Sequence, residues 1–119
     1  MIQTLITHSK CISNGKVMEF ELKPCPTISV YDCTNSTMWT FSSLQVEDLL
    51  KLYGAVLNRK GGPVVVIDDP SEEPFVFTLG FTDSYIQVSL ADMENEATAT
   101  IPYEFVLENL ERLKEFFKV

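Results

Sequence analysis

An α+β fold of two tandem ββββα units, antiparallel sheets packed with two helices, is the architecture the residue pattern predicts. Three observations carry it. "ATATIPYEFVLENLERL", near the end of the chain, runs an alternating stretch into a helical one with a proline at the joint. "TMWTFSSLQVEDLLKLY", residues 37–53, has the same grammar. Apolar positions around the joints also recur at nearly constant separation. Phe20 and Leu22 match Phe77 and Leu79 at an offset of 57, and Ile28 and Val30 match Ile86 and Val88 at 58. In the helices Val46, Leu50, Tyr53 and Leu57 match Val106, Leu110, Leu113 and Phe117 at 60. The expected arrangement is one domain, residues 1–119, with repeat one at about 16–60 and repeat two at about 63–119. A pseudo-twofold axis is expected to relate the repeats, and an extra strand to precede the first.

Each element has a local reason. In "LITHSKCISNGKVMEFELKP", Asn14-Gly15 separates two alternating runs, the strongest short hairpin signal. Met18, Phe20 and Leu22 share one face of the second run, and Glu19, Glu21 and Lys23 the other. Pro24 and Pro26 interrupt the pattern, "TISVYDC" resumes it with Ile28 and Val30 inward, "TNS" turns, and "TMWTF" is a further strand. Ser42, three residues before Gln45, forms a capping box for a helix near 43–58. Val46, Leu49, Leu50, Tyr53, Val56 and Leu57 recur there at helical spacing. Asn58 and Gly61-Gly62-Pro63 end it. "PVVVIDD", "FVFTLGF", "YIQVSLAD" and "ATATI" are the strands of the second half, and a helix follows near 102–117. Pro102 suits a first helical turn, where its missing N–H costs nothing, and Glu104 suits the positive end of the helix dipole.

Composition narrows the function classes. At 119 residues and 45% hydrophobic, with 8 Phe, 4 Tyr and 1 Trp, the chain can bury its own core. No apolar run reaches the roughly 18 residues of a membrane span. "MIQTLITHSK" lacks the pattern of a signal peptide, so a cytoplasmic location is expected. Cys11, Cys25 and Cys33 are odd in number and share no C-x-x-C spacing, which speaks for reduced thiols over a disulfide scaffold or a zinc site. The net charge of −8 divides into +1 over residues 1–60 and −9 over residues 61–119. Such a balance repels phosphate backbones at long range and disfavours tight nonspecific duplex binding.

No enzyme signature emerges, and neither a cofactor nor a metal is expected. Asp68 and Asp69 close an apolar strand with Glu72 and Glu73 just beyond, a pattern that reads as a solvated hairpin loop and not as a cation site. "RKGGP" lacks the Gly-Lys-Ser/Thr of a phosphate-binding loop. His8, the one histidine, has no nucleophile or ligand partner in the pattern.

The order of elements resembles that of two families. "VEDLLKLYGAVLNRKGGPVVVIDDPSEEPFVFTLGFTDSYIQVSLAD", 47 residues, is similar to the helix, strand, acidic turn and closing strands of the DNA sliding clamps. Clamp domains are built from two βαβββ units, cyclically the same order as ββββα. "ATIPYEFVLENL" resembles the strand-to-helix step of the Whirly and transcriptional-coactivator superfamily, which binds single-stranded DNA through paired or fused ββββα units. Both resemblances imply a non-enzymatic accessory protein of DNA transactions. Its partner would be single-stranded DNA or a replication or transcription protein.

Thr27, Ser29, Tyr31, Thr40, Thr78, Tyr85, Gln87, Ser89, Thr98 and Thr100 alternate with the core positions. They are expected to form a nearly uncharged face on which bases could stack. With nucleic acid as the partner, Tyr31 and Tyr85 are the stacking candidates and Lys16, Lys23, Arg59 and Lys60 the phosphate candidates. The alternative is a small acidic interaction protein, a nucleic-acid mimic or inhibitor of the kind phages encode, that occupies a basic surface of a partner protein. Asp68, Asp69, Glu72, Glu73, Asp92, Glu94 and Glu96 would then make the contact. The pattern also leaves room for a homo-oligomer.

Overall fold

The structure, a computed structural model, describes residues 7–22, 26–41, 44–67, 75–91 and 95–119. Four antiparallel strands, β1 (Thr7–Ser13), β2 (Lys16–Leu22), β3 (Thr27–Asp32) and β4 (Thr37–Phe41), form one sheet in chain order. Helix α1 (Val46–Leu57) follows. Strands β5 (Gly62–Ile67), β6 (Phe75–Phe81), β7 (Tyr85–Ala91) and β8 (Glu96–Pro102) form a second sheet in chain order, and α2 (Tyr103–Phe117) closes the chain. The fold is thus ββββα twice. The strand expected as an extra one ahead of the first unit is that unit's own β1.

Local chemistry explains the turns. Asn14 and Gly15 have φ of 52° and 75°, the left-handed pair that a two-residue hairpin between Ser13 and Lys16 requires. At the β3–β4 turn the buried Asp32 carboxylate accepts from the Thr34 N–H at 3.0 Å and from Asn35 Nδ2 at 3.1 Å. An Asx turn of this kind satisfies a carboxylate that burial would otherwise penalise.

One apolar core joins the two sheets and both helices. Met18, Phe20 and Leu22 lie buried on β2, and Ile28 and Val30 on β3, as their alternation predicts. Strand β8 crosses all four strands of the first sheet. Its inward residues are Ala97, Ala99 and Ile101, all fully buried, and the two small alanines permit the close approach. Phe41 of the first sheet meets Phe77 of the second edge-on, with centroids 6.4 Å apart, and Phe20 meets Phe105 of α2 at 5.9 Å.

Two expectations about the helices need correction. Gln45 is the N-cap of α1 and makes no side-chain capping bond, while Ser42 lies outside the described residues. The buried positions of α1 are Leu49, Leu52, Ala55 and Val56. Val46 and Tyr53 are only half-buried, and Leu50 and Leu57 are exposed. Apolar residues cover a broad arc of the helix opposite Glu47 and Lys51, wider than the strip that is buried, and packing against α2 and β5 selects the part that is covered. On α2, Val106, Leu110 and Leu113 are buried as expected and Phe117 is half-buried.

The ladders also refine the correspondence between halves. Ile28 stands beside Phe41 and Ile86 beside Ile101, so β3–β4 and β7–β8 agree in register. Phe20, however, stands beside Ile28, whereas Phe77 stands beside Leu90 and not Ile86. The apolar repeat at 57 and the repeat at 58 therefore belong to different registers of one ladder, a shift that preserves the inward face because it is even.

Candidate functional site

The outer-face residues belong to two separate sheets. Thr27, Ser29, Tyr31 and Thr40 lie on the first, and Thr78, Tyr85, Gln87, Ser89, Thr98 and Thr100 on the second. Much of their hydrogen-bonding capacity is spent across strands: Ser29 Oγ bonds Thr40 Oγ1, and Ser89 Oγ bonds Thr98 Oγ1, each at 3.0 Å. Tyr31 is half-buried in a row formed by Ile12, Val17 and Met38, with Ile12 and Met38 exposed. Lys16 sits at the start of β2, opposite Asp32.

Tyr85 is placed differently. It opens β7 after a tight turn, donating its N–H to Thr82 Oγ1 at 3.2 Å while its carbonyl accepts the Thr82 N–H at 2.9 Å. The residue is 44% exposed. Together with Arg59, Asp83, Ser84, Pro102, Tyr103 and Glu104 it lines a cleft of about 360 Å³ at the start of α2.

The end of α1 delivers Arg59 to this cleft. Lys60 N–H bonds the Ala55 carbonyl at 2.9 Å and Arg59 N–H bonds the Val56 carbonyl at 3.3 Å, the two reciprocal bonds of a Schellman motif. The motif puts Arg59 in the left-handed region, at φ 49°. Glycine takes that position freely; a residue with a Cβ gives up roughly 1–2 kcal/mol. The guanidinium then lies over the Tyr103 ring, 4.3 Å from its centroid, and Nη1 donates to the Thr82 carbonyl at 3.1 Å. Tyr103 is anchored in turn: its hydroxyl donates to the Val56 carbonyl at 2.9 Å and its N–H to the Ser84 carbonyl at 2.9 Å. One arginine is thereby seated on the Tyr103 ring in a cleft that Tyr85 also lines.

The lining carries one cation, Arg59, and two carboxylates, Asp83 and Glu104. It does not concentrate phosphate at long range. It offers the exposed Tyr85 side chain and a guanidinium seated on Tyr103, which suit a planar, hydrogen-bonding ring.

Of the sequence-derived candidates, the structure brings Arg59 and Tyr85 together and leaves Tyr31 and Lys16 on the first sheet. Lys60 lines a different groove. Lys23, Asp68, Asp69, Glu72, Glu73, Asp92 and Glu94 lie outside the described residues. Glu96 is exposed and accepts from Thr98 Oγ1 at 2.9 Å. Tyr103 was the residue missed; its place directly after Pro102, at the strand-to-helix joint, was the available signal.

Elsewhere, His8 Nε2 lies 2.5 Å from Glu19 Oε2 across β1 and β2, an exposed pair of the kind worth about 0–1 kcal/mol. Burial pushes the Cys11 thiol up, away from the reactive thiolate. Among the described residues no cluster of His, Cys, Asp and Glu could hold a metal, and no helix is long and apolar enough to cross a membrane. No family model, curated protein or solved structure matches this chain.

Proposed function

We propose that this chain is a non-enzymatic accessory protein of DNA transactions that binds single-stranded nucleic acid, with the Arg59–Tyr85–Tyr103 cleft as its base-stacking site. The observation that carries the reading is the strained, pre-set arginine over Tyr103 beside the exposed Tyr85. Backbone strain is retained where the surroundings over-determine it, and it clusters at ligand sites. The ββββα order, shared with the Whirly superfamily by resemblance, supports the same reading. The agreement of the β3–β4 and β7–β8 registers further supports a pseudo-twofold relation between the units, which we include in the proposal.

Affinity would come mainly from stacking, because the protein's net charge is −8. One phosphate contact, from Arg59, the single cation among the described lining residues, would give a log–log salt slope of only about −0.7 for a single strand. Titrating a labelled oligothymidylate of about 16 nucleotides across a salt series measures it. Arg59→Gly is the matching variant, since glycine fits φ 49° without strain and the fold should not suffer. Its binding is expected to weaken about tenfold, or about 1.4 kcal/mol. If the oligonucleotide does not bind while polylysine does, the acidic-interaction reading replaces this one.

A further inference from the structure

A second groove, about 330 Å³, runs between α1 and β5 and shares no lining residue with the Arg59 cleft. Leu50, Gly54, Pro63 and Val64 contribute apolar surface to it, and Lys51 and Lys60 stand in its wall. Among the described residues no carboxylate lines it, although the chain carries 17 acidic residues against 9 basic ones. Neither lysine is in an ion pair among the described residues.

Gly54 is the telling residue. Glycine inside a helix is the least favourable choice after proline. Here no close packing explains it: a Cβ at Gly54 would meet nothing within 4 Å. Leu50 and Leu57, 44% and 48% exposed, stand about one turn to either side. The helix thus presents two uncovered leucines around a notch, beside two ammonium groups that are unpaired among the described residues. An apolar notch rimmed by cations is complementary to an amphipathic segment whose own rim is acidic.

We propose that the α1–β5 groove docks an acidic, leucine-bearing segment of a partner protein, with its apolar residues over Gly54 and its carboxylates on Lys51 and Lys60. This does not depend on nucleic-acid binding at the other cleft.

The test uses the full chain and a labelled amphipathic peptide of leucine and glutamate, with its leucine–lysine counterpart as control. The acidic peptide is expected to bind saturably and the basic one not. Gly54→Leu should weaken binding at least tenfold by filling the notch, with no fall in thermal midpoint, because leucine is the better helix former and the space is open. Lys51→Glu with Lys60→Glu should weaken it by at least as much. Absence of saturable binding, equal binding of the basic peptide, or undiminished binding to Gly54→Leu overturns the proposal. So does a self-association equilibrium abolished by Gly54→Leu, which would make a second copy the occupant. Loss of oligothymidylate binding in these variants, with peptide binding intact, would give the groove to nucleic acid and equally overturn it.

Discussion

Phe77→Ala is expected to cost about 3–5 kcal/mol, the range for truncating a fully buried phenylalanine. Phe77 is 2% exposed and meets Phe41 edge-on, so it fills the seam between the two sheets. Its surroundings include Met18 and Ile28 of the first sheet, Leu52 and Val56 of α1, and Val106 and Leu110 of α2. Elements held by separate ladders and by each other cannot all move inward, so the space left by the ring stays largely open. A loss of this size corresponds to a fall in melting temperature of roughly 10–20 °C for a domain of this length. Phe81→Ala, at a half-buried site one strand-end away, should cost clearly less. Thermal and denaturant unfolding of both variants check the pair; equal losses would mean that Phe77 does not hold the seam.

Ala99→Leu should also destabilise strongly, by about 1–3 kcal/mol, through overpacking and not through a cavity. Ala99 is fully buried, pairs with Val88 and belongs to the strand that crosses the whole first sheet. A leucine there must push β8 away from β3 or take an unfavourable rotamer. Thr100→Leu changes the neighbouring residue, which faces outward, and should stay within about 0.5 kcal/mol. The contrast between adjacent residues reports the sheet-on-sheet contact in a single denaturation series. If both variants unfold at the wild-type midpoint, the close crossing is not a stabilising contact.

What was legible in the sequence was local. Asn14-Gly15 names its own turn because both residues tolerate positive φ, and the alternation of Met18, Phe20 and Leu22 names its inward face because a strand has period two. The buried face of α1 was not legible. Leu49, Leu50, Leu52, Tyr53, Val56 and Leu57 spread over a broad apolar arc opposite Glu47 and Lys51, and which part of it is buried is chosen by α2, far away in sequence, and by β5 just beyond the helix. Register was only half legible: an even shift of β6 against β7 keeps every apolar residue inside, so periodicity cannot detect it. The site shows the same division. Arg59 and Tyr85 stand out by residue type, yet their meeting depends on Tyr103, 44 residues beyond Arg59, and on the αL turn that aims the guanidinium at it. Tyr31 has the same chemistry as Tyr85 and was indistinguishable from it until the two sheets were separated.

That separation supplies the decisive comparison, the affinity of Tyr85→Ala and Tyr31→Ala for a labelled oligothymidylate. Removing a base-stacking aromatic costs roughly 1–3 kcal/mol, or about 5- to 150-fold in dissociation constant. Tyr85→Ala should lose that much and Tyr31→Ala almost nothing, because only Tyr85 lines the cleft that holds Arg59 and Tyr103. Wild-type affinity in Tyr85→Ala, or a comparable loss in Tyr31→Ala, would contradict the cleft as the nucleic-acid site.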